Sequence, residues 1–331
     1  MYKKILIPID NSRYSRYCTD LGIFLAERFG SELTGSHVYS AGLHDRRFRD
    51  MEVGLPGHYQ EEERLRRSRK VHDSLIGDGL RLISDAYLES FKKDCLQAGI
   101  PFGSKLMEGK NWLELVKEVR RTGYDLVIIG ILGLGAVNGN LIGGVCERVV
   151  RKVDTDVLAI KNNAPLRGRV VAALDGSDHS FSALRRAIEL SKRFDLKLEA
   201  VSVYDPHFHR RAFQALVGVL SDEAGKMFKF TEQERLHDEI IDDGLGKIYQ
   251  GHLDRAREEG VREGVEVKTV LLAGKAYTEI CSYLQKDPPS LLALGRFGAH
   301  QTEETEIGNT AENLLRLAPC NVLITLGTGM A

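Results

Sequence analysis

The chain has 331 residues with 46 basic and 47 acidic side chains, a formal net charge of −1, so no excess positive field holds nucleic acid or an anionic membrane non-specifically. This length suits two domains of ordinary size, each able to bury its own core without disulfides or metals. The five cysteines (Cys18, Cys95, Cys146, Cys281, Cys320) are widely spaced with no Cys-x-x-Cys pair, which fits a reducing cytoplasm and argues against a zinc site or thiol exchange.

Lys3-Lys4 lead straight into Ile5-Leu6-Ile7-Pro8-Ile9, closed by Asp10. The run predicts a strand near 4–9 and is too short for a secretory segment, so a cytoplasmic location is expected. Ser12 then precedes a helix near 13–29 as its cap, and a strand near 32–38 ends at Val38. The charged segment 40–71 follows, from His44-Asp45-Arg46-Arg47-Phe48 to Glu61-Glu62-Glu63-Arg64-Leu65-Arg66-Arg67. It reads as a helical excursion over a ligand mouth or across a partner domain, with a solvated charged helix as the plainer alternative. A long helix near 72–98, a strand near 102–107 and a helix near 111–121 come next. Gly109-Lys110 sits between the last two, where the lysine could reach a phosphate or be solvated at the helix start. Trp112, the only tryptophan, reads as packing.

A strand near 124–129 leads into Gly130-x-x-Gly133, nine residues, then Gly143-Gly144, a helix near 143–152 and a strand near 156–160. Residues 126–146 hold no charge, nearly the length of a membrane span. They also hold six glycines, and a strand, a glycine loop and a helix start explain them better.

A single register shift of 165 residues reproduces all of this. It aligns Asp10-Asn11-Ser12 with Asp175-Gly176-Ser177, His72-Asp73 with His237-Asp238, and Gly109-Lys110 with Gly274-Lys275. Gly130, Gly133 and Gly143 meet Gly295, Gly298 and Gly308, and Trp112 meets Tyr277. Such a period exceeds that of solenoid repeats, so each copy is expected to be a domain of its own, 1–162 and 168–329, joined by the polar stretch Lys161–Gly168. Strands are expected again near 169–174, 197–203, 266–272, 290–294 and 321–325, with a second insert at 205–236. Strand alternating with helix predicts, in each copy, a doubly wound parallel sheet whose ligand crevice lies at the carboxyl ends of the strands.

The chemistry-bearing residues fall at those ends. Asp10 and Asp175 can accept from an adenine amino group or a ribose hydroxyl, although Asp-x-Ser alone reads more readily as a turn and cap. The glycines allow backbone N–H groups to approach phosphate oxygens, and the next helix adds its positive end.

An acid on strand one, Gly-x-x-Gly-x9-Gly after strand four, and Ala318-Pro319-Cys320-Asn321-Val322-Leu323 after the last helix resemble the universal stress protein family, across both halves outside the two inserts. The resemblance implies two Rossmann-like, adenine nucleotide alpha hydrolase-like domains, each a five-stranded parallel sheet with helices on both faces. It implies pairing through the last strand and, in the nucleotide-binding branch, ATP, with or without Mg. Carried over by position, Asp10, Asp175, Val38 and Val203 would meet the adenine end. Gly130, Gly133, Gly143, Gly295, Gly298 and Gly308 would hold ribose and phosphates. The family places Ser or Thr after the last glycine; this chain has Gly144 in one copy and Asn309-Thr310 in the other, so the second site reads as chemically richer.

His44, His72, His209 and His237 recur in register and invite a metal reading. Adjacent His-Asp does not share a helix face and no His-x-x-x-His occurs, so one half alone cannot close a site. No Ser/His/Asp constellation or Walker-type loop supports catalysis beyond slow ATP hydrolysis, and an ATP-dependent hydrolase or transferase is a third reading. The leading expectation is a stress-response switch that binds adenine nucleotide and an unknown protein partner. The competing one is a scaffold with degenerate crevices or an apolar or metal ligand. The two copies are expected to pair through 156–160 and 321–325, within a chain that is monomeric or homodimeric.

Overall fold

The computed structural model describes residues 1–52, 61–137, 139, 141–206, 243–299 and 304–327. The chain forms two compact units, Met1–Asn163 and Ala164–Ala331. In the first, β1 (Lys4–Pro8), α1 (Arg13–Phe29), β2 (Glu32–Tyr39), α2 (Ala41–Glu52), α3 (Glu62–Ala98), β3 (Phe102–Glu108), α4 (Asn111–Thr122), β4 (Leu126–Gly130), α5 (Gly144–Lys152) and β5 (Asp156–Ile160) follow in order. Its strands lie in the order β3-β2-β1-β4-β5, all pairings parallel. The chain winds outward one way from β1 and the other way from β4, so the order reverses between these two.

The second unit repeats the plan with β6 (Arg169–Leu174), α6 (Asp178–Phe194), β7 (Lys197–Tyr204), α7 (Asp243–Arg262), β8 (Val267–Ala273), α8 (Ala276–Lys286), β9 (Leu291–Gly295), α9 (Asn309–Leu317) and β10 (Asn321–Thr325). Its order is β10-β9-β6-β7-β8, again parallel, with the reversal between β6 and β9. The predicted fold class is the one observed.

The central strands are unbroken apolar runs because helices cover both faces. Ile5, Leu6, Ile7, Leu126, Val127 and Ile128 are buried in one sheet, and Val170, Val171, Leu292 and Leu294 in the other. Ser12 and Ser177 cap α1 and α6 by accepting from Ser15 N and Ser180 N. The two helices end differently, at Gly30 and at Asp195, each left-handed.

Some boundaries differ from expectation. Strand β4 begins at Leu126 and not at Tyr124, because Asp125 turns its carboxylate to the N–H groups of Lys3 and Lys4 and Tyr124 turns its hydroxyl to Glu118. Helix α3 starts at Glu62, ten residues before the expected start, and Arg69 ties it to α2 through two hydrogen bonds to Glu52 (2.8 and 2.6 Å). The first insert is therefore helical at 41–52 and 62–71, while 53–60 and almost all of the second insert lie outside the described residues. Among the described residues no helix is long and apolar enough to cross a membrane.

Candidate functional site

In the first unit a crevice of about 310 Å³ opens at the strand reversal, lined by Asp10, Val38, Gly130, Gly133, Gly143 and Gly144. The second holds one of about 410 Å³ lined by Asp175, Val203, Gly295, Gly298, Gly308, Asn309 and Thr310. Every position expected to bind nucleotide thus converges on its own crevice. Both volumes fall in the range of small-molecule sites.

Each crevice is assembled by its acid. Asp10 Oδ1 accepts from Ser12 N (2.9 Å) and Oδ2 from Leu134 N (3.2 Å). Asp175 accepts likewise from Ser177 N (3.0 Å) and Ala299 N (3.0 Å). The carboxylate ties the end of the first strand to the glycine loop 124 residues away in either copy, a bracing role that residue type alone does not reveal. A Cβ at Gly133 would stand 2.8 Å from Asp10 Oδ2, and one at Gly298 2.7 Å from Asp175 Oδ2, so a side chain there would break the brace. Gly130 and Gly295 are required for a second reason: a Cβ would meet Tyr14 Cβ at 2.6 Å or the His179 carbonyl carbon at 2.7 Å.

The loop returns to the sheet through Gly143 N to Ile131 O (2.7 Å) and Gly308 N to Arg296 O (2.8 Å). Neither α5 nor α9 has a side-chain cap. The first N–H groups of such a helix lack intrahelical acceptors and carry its positive end, which suits an anion. In the first crevice Ser36 Oγ is fully buried and, among the described residues, without a hydrogen-bond partner, a polar atom left for a ligand. Uncapped helix starts, a glycine cradle and this hydroxyl together fit a phosphate-bearing nucleoside.

Several residues in or beside the crevices are not evident from the sequence. Arg148, one turn into α5, lines the first, and its Nη1 donates to Gly144 O (3.0 Å). Its i, i+4 relation to Gly144 is the signal that could have found it. Cys146 lines the same crevice, and burial pushes its thiol up to about 12. In the second, Tyr249 from α7 reaches the crevice, where burial and then Asp175 raise its hydroxyl's pKa. Its ring lies 5.3 Å from that of His252. Burial lowers the His252 pKa, against the pull of Asp175. The same shift puts Ser84 and Tyr87 at those places in the first copy, so comparing the copies would have exposed the change.

Lys110 and Lys275 do not line the crevices. Each ammonium lies over the ring two residues on, Trp112 at 5.4 Å and Tyr277 at 4.8 Å, a cation–π contact that accounts for both residue types. Of the histidines proposed for metal, His209 and His237 and the side chain of His44 lie outside the described residues, while His72 sits half-buried on α3. Among the described residues no three His, Cys, Asp or Glu side chains group as metal ligands.

A model of the universal stress protein family matches residues 1–161 and again 167–325. A universal stress protein of Methanocaldococcus jannaschii is 27% identical over 165 residues, covering 50% of this chain and 85% of that protein. The universal stress protein YxiE of Bacillus subtilis is 28% identical over 159 residues, covering 47% and 97%. Among solved structures, a universal stress protein from Archaeoglobus fulgidus superposes with a TM-score of 0.62 at 17% identity, covering 97% of both chains. That likeness speaks to the fold.

Proposed function

Since the chain belongs to the universal stress protein family, we propose that its crevices bind ATP or a related adenine nucleotide and that occupancy makes it a stress-response switch acting on a protein partner. The observation that carries this reading is the repetition of one construction. In both units an aspartate braces a glycine loop against the first strand and an uncapped helix start faces the crevice.

In this reading Val38 and Val203 flank the base, while Asp10, which accepts two hydrogen bonds, and Asp175, which accepts three, keep lone pairs for base or ribose. The backbone of Gly133, Gly143, Gly298 and Gly308 approaches the phosphates, with Asn309 and Thr310 adding donors in the second crevice. Among the described residues the only carboxylate lining each crevice is its braced aspartate, so any Mg would be carried by the nucleotide's phosphates. Bound nucleotide supplies the occupancy signal, and the chain's own groups orient it.

The test is to denature the purified protein, identify released small molecules by mass spectrometry, and measure the thermal shift on adding ATP. Released adenine nucleotide, or a stabilising shift abolished by Gly133→Leu together with Gly298→Leu, supports the reading. Nucleotide-free protein with no shift overturns it.

A further inference from the structure

The nucleotide reading leaves one difference between the crevices without a role. In the first, Arg148 Nη1 donates to Gly144 O (3.0 Å), and the same nitrogen lies 2.8 Å from where a Cβ on residue 144 would stand. The guanidinium fills space that the missing side chain leaves, so Gly144 and Arg148 form one device. At the matching places Asn313 Nδ2 donates to Asn309 O (2.8 Å). The same carbonyl is covered by a charged fork in one copy and a neutral amide in the other.

Resting on that reading, we propose that the first crevice selects its ligand by the charge of the phosphate chain, with Arg148 as the specificity-determining residue, while the second grips by neutral hydrogen bonds. Three observations converge. Arg148 is exposed and its one hydrogen bond among the described residues goes to a carbonyl, a weaker acceptor than a phosphate oxygen, which a guanidinium can take with two donors at once. Asp10, the only acid lining this crevice among the described residues, is engaged by Ser12 N and Leu134 N. Ser36 Oγ, buried in the crevice wall and unpartnered among the described residues, points to a ligand independently of the helix start. The second crevice has no lysine or arginine lining it among the described residues and keeps Asp175. Its field before binding is therefore more negative.

The first crevice should then favour ATP over adenosine strongly and lose that preference in salt, and the second should discriminate less. Hydrogen-exchange mass spectrometry on the intact chain reads each crevice through peptides covering 143–152 and 308–317, titrated with ATP and with adenosine in EDTA. Arg148→Asn, which imports the residue of the second copy on an exposed site, is expected to cut the ATP-to-adenosine preference of the first crevice about tenfold, the worth of one charge-assisted hydrogen bond. Adenosine binding there and both ligands in the second crevice should be unchanged. Asn309→Gly with Asn313→Arg should raise the preference of the second. A preference that Arg148→Asn leaves intact, or equal protection by both ligands in the unaltered chain, overturns charge selection while leaving nucleotide binding standing. Protection by neither ligand overturns the nucleotide reading and this inference with it.

Discussion

The two copies agree at the carboxyl ends of their strands and disagree at the amino ends. Around the crevices the glycines, the aspartate's two backbone hydrogen bonds and the loop's return to the sheet recur in both copies. At the opposite end each unit buries a glutamate by a different route, the first unit burying Asp156 as well. In the first it is Glu118 of α4, which accepts from Thr122 (2.8 Å) and Tyr124 (3.2 Å), pairs with Arg121 and lies 3.6 Å from Lys105. In the second it is Glu199 of β7, which accepts from Tyr283 (2.8 Å) and Lys268 (2.9 Å) and pairs with Arg169. Burial raises both pKa values, but the hydrogen bonds and cations outweigh it and the net is below 4.5. Packing admits many solutions for a buried charge. A ligand admits few, so an end built the same way twice is the end with work in common.

The largest expected effect probes the unlike ends. Glu199→Ala leaves Arg169, whose side chain is 14% exposed, with only the exposed carboxylate of Asp287 (3.3 Å) as counter-ion, and should cost the second unit about 3 kcal/mol, the low end for a broken buried pair. Glu118→Ala releases Arg121 and Lys105, 69% and 41% exposed, into water and should cost about 1–2 kcal/mol. Urea unfolding followed by hydrogen exchange of β1 and β6 separates the two, and equal losses would break the contrast.

At the like ends, Gly295→Val drives a side chain onto the backbone of His179 and Ser180 (2.7 and 2.8 Å). Gly130→Val meets the Tyr14 Cβ at 2.6 Å and a carbonyl at 3.2 Å. Both should cost about 1–3 kcal/mol, with Gly295 at the upper end because backbone yields less than a side chain. Thermal melts that rank them in reverse would count against the stated geometry. Ser12→Ala should cost about 1 kcal/mol through the lost cap. Ser177→Ala should cost more, since its hydroxyl also donates to Asp175 at 2.6 Å.

The shallowest effect is with pH. His252 titrates below its ordinary 6.5 because it is buried, so the folded second unit binds fewer protons than the unfolded one. Its contribution is complete above pH 6.5 and falls as the pH drops toward the folded value. Glu118 and Glu199 are held below 4.5, so their contribution is present above that pH and lost on further acidification. Denaturation midpoints at pH 7 and 5.5 check the first slope, which His252→Gln should remove.

The topology was legible because apolar runs and glycine punctuation are local signals repeated 165 residues apart. The crevice residues were legible for the same reason. Other features depend on contacts that no single stretch contains. The bracing by Asp10 needs Leu134, Glu199 finds Arg169 and Tyr283 from three elements, and Tyr249 reaches its crevice from a helix. Arg148 was overlooked although it is close in sequence, because a glycine advertises backbone and conceals which neighbour fills the space it leaves.

Cys146 lies in the wall of the first crevice, and its place in the second copy is taken by Ala311. Its thiol is 2% exposed and ionises near 12, so an alkylating reagent reaches it as thiolate only when that wall opens. Peptide mapping distinguishes it from the other four cysteines. The chain thus carries a chemical clock for the breathing of one crevice and none lining the other, and the rate at which Cys146 is labelled, with and without ligand, measures how long that crevice stays shut.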